Sequence, residues 1–271
     1  MPGKILIFSP HPDDAEFFAG GTIARMTAEG AEAIIVVVSD GRRGSFEHDS
    51  ESLARVRREE AARGAAALGA GGPIWLGYPD LELDTLTPGT LREQFIRLIR
   101  QHRPGVVIAQ DAFSLSEVHP DHRAVALAAS DAVSFASLPL LHPEHREEGL
   151  EPHLVVEKYF YAPAPSAVNK IVDITETMER KLAAMGEHRT QVAFLVEDVM
   201  RQARLAGIDI QTTLGEAAQD SMAALAWAIR AEAAEVGARA GVNYGEAFRY
   251  VRFHPLVESL LVSGGVASGG P

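Results

Sequence analysis

Apolar runs alternate with segments of helical periodicity along the first half of the chain. The apolar runs are short, bounded by turn residues and typical of buried strands, at residues 4–9, 34–39, 74–76 and 106–109. Apolar residues recur at helical spacing between and after these runs, over residues 15–29, 53–68, 90–101 and 123–133. The alternation predicts parallel βαβ units, and therefore an α/β fold whose mostly parallel sheet has helices on both faces.

The alternation weakens after residue 137, where four proline and glycine residues mark a long surface connection (Pro139, Pro143, Gly149 and Pro152). We predict a C-terminal elaboration of the same domain, with strands at residues 154–161 and 168–174 and helices at residues 175–190 and 218–240. Residues 1–136 form the predicted core, and residues 137–262 continue it. The small, polar residues 263–271 are expected to be a disordered tail.

The chain has no cysteine and a formal net charge of -12. The first fact excludes disulfides and thiolate chemistry, so a metal site would use histidine and carboxylate ligands. The second argues against nucleic acid, whose backbone requires clustered Lys and Arg. No apolar run approaches the roughly 20 residues that span a bilayer, and the first apolar run is too short for a signal peptide. We therefore expect a cytoplasmic protein without a membrane partner.

The first segment with candidate chemistry is SPHPDDAE at residues 9–16, where the first predicted strand ends and the first predicted helix begins. Ligands of open α/β sheets bind at the carboxyl ends of strands. His11 and Asp14 are three residues apart, so one helical turn brings both side chains to one point, whereas Asp13 is aimed differently. The alternative is that Asp13 or Asp14 caps the helix and that His11 is a turn residue.

A second segment, HPDH at residues 119–122, follows the fourth predicted strand and opens a helix. Strands one and four are neighbours in the common order 3-2-1-4-5, which brings the two motifs face to face. Taken alone, a His-x-x-His pair often caps a helix or lies on its surface. Two such turns at neighbouring strand ends favour a shared site.

His11, Asp14 and His122 are a set of three ligands that leaves a fourth position for water, as in catalytic zinc sites. We expect one divalent metal ion, with Zn²⁺ preferred and Fe²⁺ as the alternative for mixed nitrogen and oxygen ligands. Such an ion activates water and polarises a carbonyl. Asp13 is the candidate base, and His119 is the candidate that protonates the leaving amine or stabilises the oxyanion.

The pair PHPDDAEFFAGGT and HPDHR resembles the LmbE-like, or PIG-L, family of de-N-acetylases. The resemblance extends over most of the chain, through SDGRRGS, RREEAARGAAALG, GYPDLEL, KLAAMGEHRTQ and GEAFR. It implies a Rossmann-like fold and the removal of an N-acetyl (acyl) group from an amino sugar or N-acetylglucosaminyl-type conjugate by attack of metal-bound water. By resemblance, His11, Asp14 and His122 are the metal ligands, Asp13 is the general base and His119 is the second catalytic histidine.

The resemblance also places Arg57 and Asp80 at sugar hydroxyls, with an exposed helix salt bridge as the alternative for Arg57. Arg42 and Arg43 lie in a glycine-flanked loop, where solvation is expected over contact with an anionic substrate. Four other histidines without ligand spacing are predicted to lie in surface loops without a role (His48, His142, His145 and His153).

Glu117 stands where some family members have a tyrosine, two residues before His119. An ionised carboxylate cannot donate a hydrogen bond to an oxyanion. Two alternatives remain for Glu117: it holds His119 in its protonated form, or it points into solvent. We expect substrate specificity to lie in the loops at residues 111–118 and 137–152.

Two other functions remain open. Histidine and aspartate clusters also serve metal-dependent phosphoester hydrolases, although the chain has one such set and no phosphate-binding Gly-x-x-x-x-Gly-Lys loop. A non-enzymatic metal- or sugar-binding module is the other alternative, but such a site needs no base like Asp13. The expected partner is a small N-acylated substrate. The resemblance also allows a homo-oligomer, although the sequence identifies no interface.

Overall fold

A computed structural model describes residues 3–115, 117–162, 167–209, 212, 220–253 and 255–262. These residues form seven strands: β1 (Lys4–Ser9), β2 (Glu32–Ser39), β3 (Ile74–Tyr78), β4 (Val106–Gln110), β5 (Glu157–Tyr161), β6 (Lys170–Asp173) and β7 (Gly245–Val251). They also form nine α-helices: α1 (Asp14–Ala28), α2 (Ser50–Ala67), α3 (Thr90–His102), α4 (Pro120–Phe135), α5 (Glu144–Glu147), α6 (Met178–Glu187), α7 (Arg189–Ala206), α8 (Ser221–Ala238) and α9 (Pro255–Val262). A short 3₁₀ helix spans Leu83–Thr85.

The strands lie in the order β3-β2-β1-β4-β5-β7-β6. The first five are parallel to one another, whereas β7 is antiparallel to both β5 and β6. The α/β prediction with a mostly parallel sheet is confirmed, and so is the order 3-2-1-4-5 of the first five strands. Strands from residues 137–262 join the sheet of residues 1–136, and the division into a core and its continuation stays a prediction.

Each face of the sheet is covered by helices, because alternate strand residues point to opposite sides. Ile5 and Ile7 of β1 pack with residues of α1, α6 and α8 in one apolar cluster. Leu6 and Phe8 pack with residues of α3 and α4 in the other. The helices therefore fix the strand ends from both sides. None of the described helices is long and apolar enough to cross a membrane.

The C-terminal elaboration differs from its prediction. The helix expected at residues 175–190 is two helices, because His188 has the non-helical angles φ -86° and ψ 54° and separates α6 from α7. The strand β7 was not predicted. Its buried Glu246 is charged, and a charged residue at a buried position breaks the alternation of apolar and polar residues that predicts a strand. Glu246 pairs with the amine of Lys181 at 2.7 Å and accepts the N–H groups of Gly21 and Thr22. The expected tail at residues 263–271 lies outside the described residues.

The long connection at residues 137–152 is held by the guanidinium of Arg100. This buried side chain of α3 donates to four backbone carbonyl groups, those of Ala136, Leu138, Leu141 and His142. Arg100 lies shortly before the start of β4, so the connection packs at the amino edge of the sheet. The contribution of this loop to substrate specificity stays a prediction, although the two histidine motifs lie at the other, carboxyl edge.

Candidate active site

The residues predicted to carry chemistry meet at the carboxyl edge of the sheet. His11 follows β1, and Asp13 and Asp14 lie where α1 begins. Asp80 follows β3, and His119 and His122 lie where α4 begins after β4. Because β1 and β4 are hydrogen-bonded neighbours, the two motifs face each other across the switch point of the sheet.

Three candidate ligand atoms form a nearly equilateral triangle. Nδ1 of His11 lies 3.2 Å from Oδ2 of Asp14 and 3.1 Å from Nε2 of His122. The third side, from Nε2 of His122 to Oδ2 of Asp14, is 3.3 Å. A tetrahedral ion with bonds of about 2.0–2.1 Å separates neighbouring ligand atoms by about 3.4 Å. The donor set and its spacing therefore fit a single divalent ion.

In each candidate ligand histidine, the ring nitrogen that is not part of the triangle lies close to at least one carboxylate. Nε2 of His11 lies 3.0 Å from Oδ1 of Asp80 and 3.3 Å from Oδ2 of Asp121. Nδ1 of His122 lies 3.0 Å from Oε2 of Glu117. A carboxylate in this place accepts the ring N–H and leaves the lone pair of the other nitrogen free for a metal. Both rings are thus oriented for ligation.

The pKa values of this cluster reflect a surplus of buried carboxylates. Burial raises the pKa of Asp14, but the positive charges of His122 and His11 lower it well below its usual value. Burial lowers the pKa of His122, but Asp14 and Glu117 raise it to about 10. Similarly, Asp80 has a pKa of about 2, because the His11 contact outweighs burial. A site in which acids outnumber their basic partners is suited to a divalent cation.

Asp13 lies beside the triangle and takes no part in it. It occupies the residue before α1 but makes no side-chain capping hydrogen bond, so the capping alternative does not describe it. Its Oδ1 accepts a hydrogen bond of 3.0 Å from Nη2 of Arg57. Burial raises the pKa of Asp13 to about 6, although the positive charge of Arg57 opposes this rise. The carboxylate is thus close to the site, ionised near neutral pH and more basic than an ordinary aspartate.

His119 caps α4 and also faces the site. Its Nδ1 accepts the backbone N–H of Asp121 at 3.2 Å, as the helix-capping alternative for this motif anticipated. Its ring centroid lies 4.6 Å from that of His11 and 4.9 Å from that of His122. Burial and the two neighbouring imidazoles lower the pKa of His119. Since Nδ1 is an acceptor, the hydrogen of the neutral ring lies on Nε2.

Both expectations for Glu117 are wrong. Its side chain is only 9% exposed, so it does not point into solvent. Its carboxylate contacts the ring of His122 and the backbone N–H of His119, not the ring of His119. The pKa of His119 is accordingly lowered rather than raised.

The residues predicted to bind substrate lie within the site. Arg57 is 3% exposed and bonded to Asp13, so the alternative of an exposed helix salt bridge is wrong. Asp80 is also buried, with Oδ1 at His11 and Oδ2 accepting the N–H of Arg43. Direct contact with substrate stays a prediction for both residues.

The arginines of the loop after β2 each pair with an acid. The guanidinium of Arg42 contacts Asp40 at 2.6 Å, and that of Arg43 contacts Glu82 at 2.6 Å. The two guanidinium groups are therefore held by ion pairs and are not only solvated.

The prediction of a surface position is wrong for His145. Its side chain is buried between Arg100 and Glu93, because its two ring nitrogens bridge these side chains.

Asp121 lies in the site but was not predicted from the sequence as a site residue. Its carboxylate is fully buried, contacts His11 and accepts the backbone N–H groups of Leu81 and Leu83. A signal was present, because Asp121 lies inside the HPDH motif and metal-ligating histidines usually have a carboxylate partner. Asp111, the residue after β4, is buried and pairs with Arg249 of β7 at 2.9 Å.

Comparison with known proteins identifies several relatives. The family model described as GlcNAc-PI de-N-acetylase (PIG-L) matches residues 6–133. The diacetylchitobiose deacetylase of Thermococcus kodakarensis is 35% identical over 191 residues, which are 69% of this chain and 70% of the relative. A probable N-acetyl-α-D-glucosaminyl L-malate deacetylase 2 of Bacillus cereus is 27% identical over 206 residues, or 73% of this chain and 88% of the relative.

A solved structure has the same fold over nearly the whole chain. The N,N'-diacetylchitobiose deacetylase from Pyrococcus horikoshii, complexed with its inhibitor MPG, superimposes with a TM-score of 0.74 and 30% sequence identity. The match covers 94% of this chain and 88% of the solved one. With both histidine motifs inside the matched region, this chain belongs to the PIG-L (LmbE-like) family of de-N-acetylases.

Proposed function

We propose that this chain is a metal-dependent de-N-acetylase that hydrolyses the N-acetyl (acyl) group of an amino sugar or N-acetylglucosaminyl-type conjugate. The observation that carries the proposal is the triangle of His11, Asp14 and His122 with the carboxylate of Asp13 beside it. Relatives named as deacetylases of diacetylchitobiose and of an N-acetylglucosaminyl malate support a substrate of this class.

In this proposal His11 Nδ1, Asp14 Oδ2 and His122 Nε2 hold one divalent ion, with Zn²⁺ preferred and Fe²⁺ as the alternative. Bound there, the ion would polarise the amide carbonyl and lower the pKa of a water molecule towards about 7. Asp80 and Asp121 orient the ring of His11, and Glu117 orients that of His122.

Asp13 accepts the proton that water loses as its oxygen bonds to the amide carbon. A pKa of about 6 leaves the carboxylate mostly ionised at neutral pH, yet close enough to that pH to pass the proton on. Arg57 occupies Oδ1, so we assign proton transfer to Oδ2. When the C–N bond breaks, the proton held by Asp13 passes to the leaving amine.

His119 acts on the carbonyl oxygen. The neutral ring has its hydrogen on Nε2 and can donate it to the oxyanion of the tetrahedral intermediate, where the negative charge develops. The lowered pKa of His119 favours this role over direct protonation of the leaving amine, because a neutral ring is a weaker acid than an imidazolium.

Asp80 is the proposed contact to a substrate hydroxyl. A carboxylate has about four acceptor positions, and His11 and Arg43 account for two of those of Asp80. A cytoplasmic location and a homo-oligomeric assembly also stay predictions. The proposed partner is a small N-acylated molecule, without nucleic acid or membrane.

The test measures bound metal and products on the same samples. Zinc-loaded protein is incubated with N-acetylglucosamine, diacetylchitobiose and a phosphomonoester, and acetate and phosphate are quantified. We expect acetate from an N-acetylated sugar and about one zinc ion per chain. His11→Ala, Asp14→Ala and His122→Ala should each lower both values, whereas His48→Ala, at an exposed histidine, should change neither.

The alternatives have distinct outcomes in this experiment. Phosphate release without acetate release would replace the proposal with a phosphoester hydrolase. Zinc binding without either product across a panel of N-acetylated sugars would favour a binding module. Undiminished zinc in all three ligand variants would exclude the proposed metal site.

A further inference from the structure

Arg57 is an arginine enclosed behind the catalytic turn. It lies on α2, is 3% exposed, and its Nε is fully enclosed by protein. Nη2 donates both to the carbonyl of Pro12 and to Oδ1 of Asp13, and Nη1 donates to the carbonyl of Gly41 at 3.0 Å. The guanidinium therefore ties the turn after β1 to the loop after β2 and holds one oxygen of Asp13.

The backbone that Arg57 holds is strained. Asp13 has φ 122° and ψ -28°, a conformation that residues with a side chain rarely adopt. In the same turn, Oδ2 of Asp14 accepts the backbone N–H of His11 at 2.8 Å and also faces His122. Strained residues persist where their surroundings fix them. Around Asp13, Arg57 contacts both the carbonyl of the preceding Pro12 and the Asp13 carboxylate.

The surroundings of Arg57 are built to keep it in place. Gly41 has φ +64°, and a Cβ atom there would lie 2.2 Å from Nη1 of Arg57, so the close approach of the loop requires glycine. One turn along α2, the carboxylate of Glu60 accepts the backbone N–H and the hydroxyl of Thr190. These contacts anchor α2 to α7. The backbone from which the Arg57 side chain extends is therefore fixed.

We propose that Arg57 is a positioning residue that holds Asp13 in its strained backbone conformation and orients its carboxylate for proton transfer, instead of contacting the substrate. The inference rests on the proposed function, because it concerns the base of that reaction. It differs from the substrate-binding role predicted from the sequence, which requires an accessible guanidinium.

The two roles differ in kinetics. A residue that positions the base acts on the chemical step, so Arg57→Ala should lower kcat by about 10-fold to 100-fold, since small misplacements of a reacting group have effects of this size. KM and zinc content should stay close to those of the wild type. Arg57→Lys keeps one donor and should recover part of kcat. Arg55→Ala, an exposed position on the same helix, is the matched control and should leave both kinetic constants unchanged.

A double-mutant cycle with Asp13→Asn provides a second, independent measurement. Because Arg57 acts through Asp13, Arg57→Ala should cost less than about twofold in kcat once Asp13 is Asn. If Arg57 instead contacted the substrate, Arg57→Ala would have the same effect on the kinetic constants in the Asp13→Asn variant as in the wild type. Thermal unfolding of each variant verifies that it is folded, and Gly41→Ala, which displaces the guanidinium while keeping Arg57, should lower kcat in a folded protein as well.

The outcomes separate this inference from the proposed function. A wild-type protein without acetate release would refute the proposed function. An active wild type in which Arg57→Ala raises KM at unchanged kcat, or in which the two substitutions have additive effects, would refute only the positioning role.

Discussion

Oε2 of Glu117 lies 3.0 Å from Nδ1 of His122, and Oε1 of the same carboxylate accepts the backbone N–H of His119 at 2.8 Å. One side chain therefore orients a candidate metal ligand and the backbone of a candidate catalytic histidine. Gln110, at the end of β4, donates to Oε2 at 2.9 Å and holds the carboxylate in place.

Glu117→Ala should weaken zinc binding by about 10-fold to 100-fold, the usual effect of removing the carboxylate that orients a ligating histidine. Competition with a chelator of known affinity measures the change. Glu117→Gln should lose less, because an amide oxygen can still accept the ring N–H of His122. Glu47→Ala, at an exposed acid, serves as control. Equal zinc affinity of Glu117→Ala and the wild type would contradict the orienting role.

The sequence could predict that His11, Asp14 and His122 come together, because the geometry that joins them is local. His11 and Asp14 are joined by a single turn, and a parallel sheet brings the ends of neighbouring strands to one edge. The partners that orient them could not be derived in the same way. The contact between Glu117 and His122 depends on side-chain rotamers, and that between Arg57 and Asp13 joins residues 44 positions apart.

The C-terminal half was harder to predict for a different reason. Its buried charges are compensated by partners far along the sequence, as in the pair of Lys181 and Glu246. A charged residue inside a strand contradicts the alternation from which strands are predicted. The connection at residues 137–152 likewise has polar and proline-rich character, yet the carbonyl contacts of Arg100 fix its path.

Asp13→Asn should separate metal binding from turnover. The amide oxygen of asparagine can still accept the hydrogen bond from Arg57, but it cannot take up a proton at neutral pH. We expect zinc content equal to that of the wild type and a loss of about 10²-fold to 10⁴-fold in kcat. Elemental analysis and acetate release measure the two effects. If Asp13→Asn loses zinc as completely as Asp14→Asn, the roles of the two aspartates are misassigned.

His119 has two functions that a pair of variants can separate. His119→Ala removes both the cap of α4 and the Nε2 donor, whereas His119→Ser removes the donor but keeps a side-chain oxygen that can cap the helix. Loss of an oxyanion donor lowers kcat by about 10²-fold to 10³-fold. We expect this loss in both variants, with KM and zinc content nearly unchanged. A kcat near the wild-type value in His119→Ser would show that only the cap matters.

Far from the active site, Glu93 of α3 helps to hold the connection at residues 137–152. Its Oε1 accepts from Nε2 of His145 at 2.7 Å, while Nδ1 of His145 accepts from Nη1 of Arg100. Arginine only donates, so the neutral His145 ring has its hydrogen on Nε2, directed at Glu93. Burial raises the pKa of Glu93, but the contacts with His145 and Arg97 outweigh it and lower the pKa below its usual value of 4.5.

A lowered pKa makes the contribution of Glu93 to stability dependent on pH. The ionised carboxylate is favoured in the folded protein, so its contribution is fully present above the unfolded pKa of about 4.5 and is lost as the pH falls through the lower, folded pKa. Glu93→Gln should therefore lower Tm by roughly 2–4 °C at neutral pH, a shift that corresponds to about 1 kcal/mol for a chain of this size. The difference from the wild type should shrink in acid, whereas Glu47→Gln, at an exposed acid, should show none at either pH. Circular dichroism melts over a pH series measure both variants. A Tm difference for Glu93→Gln that is constant across the series would mean that the charge of Glu93 does not contribute to the stability of this connection.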